Sequence, residues 1–311
     1  MSSRRGVVVF PRVSRDESVF GKEMVKEFVE LLKHLNIRTV NIFDFDLKKI
    51  SPSIYIGTGK LEEIQNYSNK EGIEVVCFVN ELSPTQRYNV EEKFHEDNIS
   101  VIDREEALIS IFEANANTKY ASLQVELARL KYQLPRLKGA HSMSRTGGRA
   151  VTRGPGEQQL EFDRRHIRKR ISTVEKKLKK MEIGEAERGK RRKKLFSVGI
   201  CGYTNSGKTT LLNSLTNSSG ETMSRPFTTL QTKVKKRYED GNKILFVDTV
   251  GFFRKLPKEL FLAFKSTMGI LNEVDIIIKL FDLSSADLSK KIEIVEGTLG
   301  EVLIEPKPSI T

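Results

Sequence analysis

One octapeptide settles the fold of its neighbourhood. Gly202-Tyr203-Thr204-Asn205-Ser206-Gly207-Lys208-Thr209 fits G-x-x-x-x-G-K-S/T at every fixed position, a pattern that works where a strand runs into a tight loop and out into a helix. The flanks comply. Leu195-Phe196-Ser197-Val198-Gly199-Ile200 is a short apolar run of strand type, and Thr210-Leu211-Leu212-Asn213-Ser214-Leu215 carries apolar residues at helical spacing. Two glycines let the main chain wrap an anion with its N–H groups turned inward, Lys208 adds positive charge near the β- and γ-oxygens, and the Thr209 hydroxyl suits a bridging Mg2+. The helix N-terminus adds its dipole. A nucleoside triphosphate with magnesium is the implied ligand.

Downstream residues extend the same site. Ile244-Leu245-Phe246-Val247-Asp248-Thr249-Val250-Gly251 is a strand-like run ending in D-x-x-G. Asp248 suits magnesium held through water, and the Gly251 amide suits contact with a γ-phosphate, so this segment can sense that phosphate. Between the motifs lies Arg225-Pro226-Phe227-Thr228-Thr229-Leu230, by position a first switch, with Thr229 preferred over Thr228 as a magnesium ligand. The residue after D-T-V-G is Phe252, where many GTPases keep a glutamine that orients the attacking water. A phenyl ring neither donates nor accepts that hydrogen bond, so hydrolysis needs another group, a bound cation or a partner. Asn205 suggests K+ held by its amide oxygen beside the phosphates; a loop-stabilising hydrogen bond is the open alternative. The expected catalytic set is Lys208, Asn205, Thr229 and Gly251.

Charge singles out another segment. The 311 residues carry a net charge of +12, yet Leu134 to Lys194 alone holds 20 Lys and Arg against 7 Asp and Glu. Arg145, Arg149 and Arg153 stand among Gly147-Gly148 and Gly154-Pro155-Gly156. Such a cluster points to contact with structured RNA through its phosphates, in competition with a merely solvated face. Tyr132 and Phe162 are the only aromatics between Leu130 and Lys194, which argues against base stacking as the obvious mode.

The expected architecture is α/β in three parts: a parallel α/β domain over 1–115, a basic antiparallel two-helix hairpin over 116–194, and a P-loop NTPase G domain over 195–311. In the first part, apolar runs at Gly6–Phe10, Thr39–Phe43, Ile54–Ile56, Glu74–Val79 and Ile99–Ile102 alternate with helical stretches. In the second, Leu123, Leu127, Leu130 and Leu134 form one helical stripe that Pro135 should end or kink. After a flexible glycine-rich stretch, Ile167, Ile171, Val174, Leu178 and Met181 recur at coiled-coil spacing.

With 38% hydrophobic and 30% charged residues the composition is that of a soluble protein. No run approaches the roughly 18 apolar residues of a membrane span, and the apolar run after Arg5 is too short for a signal-peptide core. A cytoplasmic monomer is expected. Cys77 and Cys201 read as buried thiols, and His34, His95, His141 and His166 lack metal-ligand spacing.

The flanking text resembles the HflX family of GTPases, of the translation-factor class. The resemblance rests on Gly202–Thr209, on Asp248-Thr249-Val250-Gly251-Phe252-Phe253-Arg254-Lys255-Leu256-Pro257, and on earlier stretches. These include Tyr55-Ile56-Gly57-Thr58-Gly59-Lys60-Leu61-Glu62-Glu63-Ile64, Leu82-Ser83-Pro84-Thr85-Gln86, Val101-Ile102-Asp103-Arg104, Leu123-Gln124-Val125-Glu126-Leu127-Ala128 and Gly154–Arg165. It implies GTP hydrolysis and association with the large (50S) ribosomal subunit and its RNA, with splitting or rescue of stalled ribosomes. The family's nucleotide contacts carry over to Gly202, Tyr203, Thr204, Asn205, Ser206, Gly207, Lys208 and Thr209, to Phe227, Thr228, Thr229, Leu230 and Gln231, and to Asp248, Thr249, Val250 and Gly251. Its magnesium ligands carry over to Thr209 and Thr229.

Two departures stand out. Phe227-Thr228-Thr229-Leu230-Gln231 replaces the family's usual Phe-Ala-Thr-Leu-Asp, and Pro226-Phe227-Thr228-Thr229 is similar to Obg-related GTPases. The guanine-reading N-K-x-D is absent, so the G domain is expected to be incomplete, ending on an unpaired sheet edge, with weak selectivity for GTP over ATP. An RNA-binding module with a vestigial nucleotide site and an ATP-handling P-loop protein are the alternatives.

Overall fold

The computed structural model describes residues 3–13, 15–116, 118–139, 155–192, 195–216, 233–239, 241–249, 251–252, 260–261, 268–285 and 287–311. The chain forms two compact units, Met1–Ile111 with Arg129–Ser172 and Phe112–Ala128 with Thr173–Thr311.

The first unit is built on β1 (Arg4–Arg12), α1 (Arg15–His34), β2 (Ile37–Asp46), α2 (Thr58–Glu71), β3 (Val75–Phe78), α3 (Pro84–His95), β4 (Ser100–Ile102) and α4 (Arg104–Asn115). Its sheet runs β2-β1-β3-β4 with every neighbouring pair parallel. Val7, Val8, Val9 and Phe10 are all fully buried, as a central parallel strand covered on both faces requires. The Leu82–Gln86 stretch has a local reason. Ser83 Oγ accepts from the Gln86 amide at 3.2 Å, Gln86 Oε1 accepts from the Ser83 amide at 2.9 Å, and Pro84 opens α3, a capping box that fixes the helix start.

Ile54-Tyr55-Ile56 is not the strand its apolar character suggests. Tyr55 has φ +69° and makes an isolated bridge with Ser51, a left-handed turn conformation that no strand adopts. The three side chains still enter the core beside Leu61, Ile64, Phe78 and Phe94. Burial, rather than pairing, is what the run encodes.

Polar groups fix this unit from within. Asp103, fully buried, accepts at Oδ1 from the Tyr132 hydroxyl at 3.0 Å and from the Glu106 amide at 2.9 Å, and at Oδ2 from the Leu82 amide at 3.3 Å. The Arg136 guanidinium lies 3.2 Å above the Tyr132 ring centroid and 3.4 Å from Asp103 Oδ2. Nearby, Arg87 bridges Glu91 at 2.7 Å and Glu106 at 2.8 Å. Burial pushes the Glu106 carboxyl above its ordinary value while Arg87 pulls it down. Burial also raises the Tyr132 phenol, with Asp103 adding to the effect, so this tyrosine stays a donor.

Helices α5 (Lys119–Gly139) and α6 (Pro155–Arg192) follow. Pro135 sits inside α5 without ending it. It deprives one carbonyl of its partner, and one turn earlier Arg136 Nη1 donates to Tyr132 O at 2.8 Å. The buried stripe of α5 is Ala121, Val125, Ala128 and Tyr132, with Leu123 and Leu127 beside it, whereas Leu130 and Leu134 are half-buried. On α6, Val174 and Leu178 are buried and Ile167, Ile171 and Met181 half-buried. Arg145, Arg149 and Arg153 lie outside the described residues.

The second unit carries β5 (Ser197–Gly202), α7 (Lys208–Leu215), β6 (Lys233–Glu239), β7 (Asn242–Asp248), β8 (Ile276–Leu280), α8 (Leu288–Val302) and β9 (Ser309–Ile310). Its sheet runs β6-β7-β5-β8-β9, antiparallel only between β6 and β7. Two-residue β9 is the edge beside β8. β5 stands at the centre, so the octapeptide emerges from the C-terminal end of the middle strand, where parallel sheets place their ligands. Cys77 and Cys201 are buried free thiols, and burial pushes Cys201 up to about 12.

Asp103→Ala should lower the unfolding free energy by about 3 kcal/mol, because it strips partners from a buried tyrosine hydroxyl and a buried amide and leaves Arg136 with Glu105, 3.4 Å away, as its remaining carboxylate. Urea titration of the full chain reads this out. A loss below about 1 kcal/mol would show the carboxylate to be dispensable.

Candidate functional site

The octapeptide takes its shape from close contacts on all sides. Gly202 has φ +155°, and a Cβ there would collide with the Leu280 carbonyl oxygen and stand 2.9 Å from Ser206 Oγ. No other residue fits without moving β8 or the loop. Asn205, at φ +61°, is exposed in the left-handed region, and Gly207, at φ +89°, sits at the head of α7. The loop therefore turns twice through backbone space that L-residues avoid.

Lys208 opens α7 and is only 7% exposed. Its ammonium donates to Tyr203 O at 2.6 Å. Burial lowers its pKa to about 8, with Asp248 acting in the opposite sense. A cation so placed lacks the hydration it would have in water, and an anion in the loop restores that stabilisation. Gly251 packs against it: an added Cβ would lie 2.9 Å from Lys208 Nζ and 2.9 Å from Thr204 Cα.

β7 delivers the acidic partner. Asp248 is fully buried at its C-terminal end, paired in register with Ile200 of β5, and Thr209 Oγ1 donates to Asp248 Oδ2 at 3.1 Å. A hydroxyl and a carboxylate in contact form the hard oxygen set that Mg2+ prefers, so these residues fit the ion. Thr249 Oγ1 donates to Ile200 O at 2.9 Å, locking the end of β7 to β5.

The two phosphate-loop segments are bonded directly. The Thr204 amide donates to Phe252 O at 2.6 Å and the Phe252 amide to Gly202 O at 3.0 Å, forming a parallel bridge between Tyr203 and Phe252. The Phe252 ring is 4% exposed. It belongs to the core and presents nothing to a water molecule.

Of the sequence candidates, Gly202–Thr209, Asp248, Thr249 and Gly251 converge here. Phe227, Thr228, Thr229, Leu230, Gln231 and Val250 lie outside the described residues. Sequence reasoning missed a support behind Tyr203. Lys291 Nζ lies 5.1 Å from the Tyr203 ring centroid and 3.1 Å from Asp287 Oδ1, while Ser285 Oγ donates to Asp287 Oδ1 at 2.7 Å. The spacing of Asp287 and Lys291, four residues apart at the start of a helical run, was the available signal.

A separate basic surface lies on α6. Phe162, 63% exposed, shares one helical face with exposed Arg165, His166 and Lys169. Among the described residues no helix is long and apolar enough to cross a membrane.

Comparison with known proteins joins these observations. Residues 197–310 match the family described as 50S ribosome-binding GTPase, residues 22–113 that described as GTP-binding GTPase N-terminal, and residues 115–192 that described as GTP-binding GTPase Middle Region. The GTPase HflX of Caldanaerobacter subterraneus is 40% identical over 285 residues, 90% of this chain and 66% of its own length. That of Flavobacterium psychrophilum is 35% identical over 294 residues, 93% of this chain and 70% of its own. The chain thus spans about two thirds of the length of these relatives. The crystal structure of SsGBP with GDP matches at 27% identity and a TM-score of 0.55, covering 98% of this chain and 81% of that one. A GTP-binding protein of Sulfolobus solfataricus in complex with GDP matches at 26% identity and a TM-score of 0.51, covering 98% and 80%. By its strand–loop–helix phosphate site and by its likeness along most of its length to these relatives, the chain belongs to the HflX family of GTPases.

Proposed function

We propose that this chain is a cytoplasmic GTP-hydrolysing switch that acts on the large ribosomal subunit, splitting or rescuing stalled ribosomes. The observation that carries the nucleotide half is the buried Lys208 ammonium within a glycine-shaped loop, adjoining the Thr209–Asp248 contact. The ribosomal half is supported by the 50S ribosome-binding description matched over 197–310 and by the charge of Leu134–Lys194. Guanine as the base is supported by the relatives' names and by two structural neighbours bound to GDP.

The roles divide by residue. Main-chain N–H groups of Gly202–Thr209 hold the α- and β-phosphates, and Lys208 neutralises charge that builds on the bridging oxygen. Thr209 and Thr229 would ligate Mg2+ directly, with Asp248 behind a water. The ion, when bound, draws charge from the β- and γ-oxygens. The Gly251 amide contacts the γ-phosphate and couples its presence to the following segment. Phe252 takes no part in orienting water, so that task falls to groups outside its side chain. Asn205, exposed at the loop apex, would hold K+ for the same electrostatic purpose. Residues 1–115 and 116–194 serve as the RNA-reaching parts and 195–311 as the nucleotide part.

Lys208→Ala should weaken GDP binding roughly 50-fold while the far-ultraviolet spectrum stays unchanged, since it removes one charge-assisted contact in a dry site. Retention of affinity within about twofold would mean the phosphate site is misassigned.

The lowered pKa of Lys208 gives a pH signature. Bound phosphate favours the ammonium, so binding takes up a proton once pH exceeds about 8, and GDP affinity falls as pH rises further. Calorimetry in buffers of different ionisation enthalpy measures that uptake at pH 8.5. Zero uptake there, or an unchanged affinity between pH 7 and 9, would contradict the assignment.

GTP turnover should rise when purified large subunits are added and should be faster in potassium than in sodium. Turnover indifferent to subunits would remove the ribosomal reading, and equal rates in the two salts would remove the role of Asn205.

A further inference from the structure

The hairpin formed by β6 and β7 carries a basic, aromatic face that the nucleotide site does not use. Alternation along the strands and their pairing divide its side chains in two. Lys235 and Arg237 share one face, and both are engaged within the protein: Lys235 Nζ donates to Asn213 Oδ1 at 2.6 Å, and Arg237 bonds Leu215 O at 3.1 Å and Glu239 at 2.5 Å.

The other face differs. Cross-strand pairs Val234–Val247, Lys236–Leu245 and Tyr238–Lys243 lie side by side on it. Leu245 and Val247 are buried, while Val234, Lys236 and Tyr238 reach solvent, Tyr238 with 70% of its surface exposed. Lys243 Nζ lies 5.9 Å from the Tyr238 ring centroid. Among the described residues of the hairpin, this face holds no carboxylate, because Glu239 belongs to the opposite one. Among the described residues β6 is also the edge strand of its sheet.

We propose that this face is a second RNA contact, on which an unpaired nucleotide stacks against Tyr238 while Lys236 and Lys243 hold the adjoining phosphates. A ring open to solvent, with the Lys243 ammonium near it and Lys236 on the same face, matches the stacking-plus-phosphate chemistry of single-stranded nucleic acid. An acidic peptide would use the lysines and leave the ring unexplained. A second copy of the chain at this edge would bring lysine against lysine. The inference rests on the reading of this protein as an RNA-associated GTPase, and it concerns a surface separate from the Leu134–Lys194 segment.

The test uses the full chain and a fluorescein-labelled 12-nucleotide oligouridylate, with anisotropy read across a salt series, and Tyr238→Ala, Tyr238→Phe, Lys236→Ala and Lys243→Ala as variants. Tyr238→Ala should weaken binding roughly tenfold and Tyr238→Phe far less, because the ring supplies the stacking. Each lysine variant should lower the salt slope by somewhat less than one. GDP affinity should be unchanged in all four, which shows that they are folded. Equal RNA affinity for Tyr238→Ala and the parent overturns the proposal. So does a Tyr238→Ala defect toward intact large subunits with none toward RNA, which assigns the face to a protein partner, and so does a change in oligomeric state alone.

The variant Arg145→Ala/Arg149→Ala/Arg153→Ala, measured beside these, separates the two surfaces. If it binds subunits normally while Tyr238→Ala loses RNA, the glycine-arginine segment is misread and this face stands. The reverse result sinks this face and leaves the other reading intact.

Discussion

The burial of one ammonium group governs the nucleotide site. Lys208 sits 7% exposed at the head of α7, where charge is costly without a partner. The protein answers with the Tyr203 carbonyl at 2.6 Å and the nearby carboxylate of Asp248. Neither neutralises the group fully, since its pKa still falls to about 8. An anion beside such a cation would relieve that electrostatic cost. Gly202 and Gly251 follow from the same constraint, for a side chain at either position would collide with the β8 backbone or with the ammonium itself.

That site was legible because its determinants are local. Turn, cap, cation and hydroxyl lie within eight consecutive residues, and the strand and helix beside them carry their own periodicity. Features set by distant contacts were not. Ile54-Tyr55-Ile56 has the composition of a strand, yet Tyr55 adopts a left-handed turn and all three side chains fill the core. Pro135 signals a helix end, and α5 runs through it to Gly139. The leucines of α5 draw the eye, but Ala121, Val125, Ala128 and Tyr132 form the stripe buried more deeply.

Asp103 shows the same limit in a polar setting. Its position after a β-run was visible, and its role was not, because its partners Leu82, Tyr132 and Arg136 come from separate parts of the chain. A lone aspartate in a sequence reads as a surface residue. Only the fold reveals that it gathers a hydroxyl, two amides and a guanidinium, and thereby ties the start of α4 to α5 and to the loop before α3.

Phe252 joins the two lines of argument. From sequence, the ring marks a lost glutamine; from structure, it is a core side chain whose main chain bonds Gly202 and Thr204. Its amide and carbonyl hold the D-x-x-G segment against the phosphate loop, a task for which side-chain polarity is irrelevant and burial is an advantage. An apolar residue here anchors the segment that carries Gly251, at the cost of a group that would orient water. The main chain at Phe252 thereby registers the D-x-x-G segment to the octapeptide loop, while its buried ring offers the site no polar group.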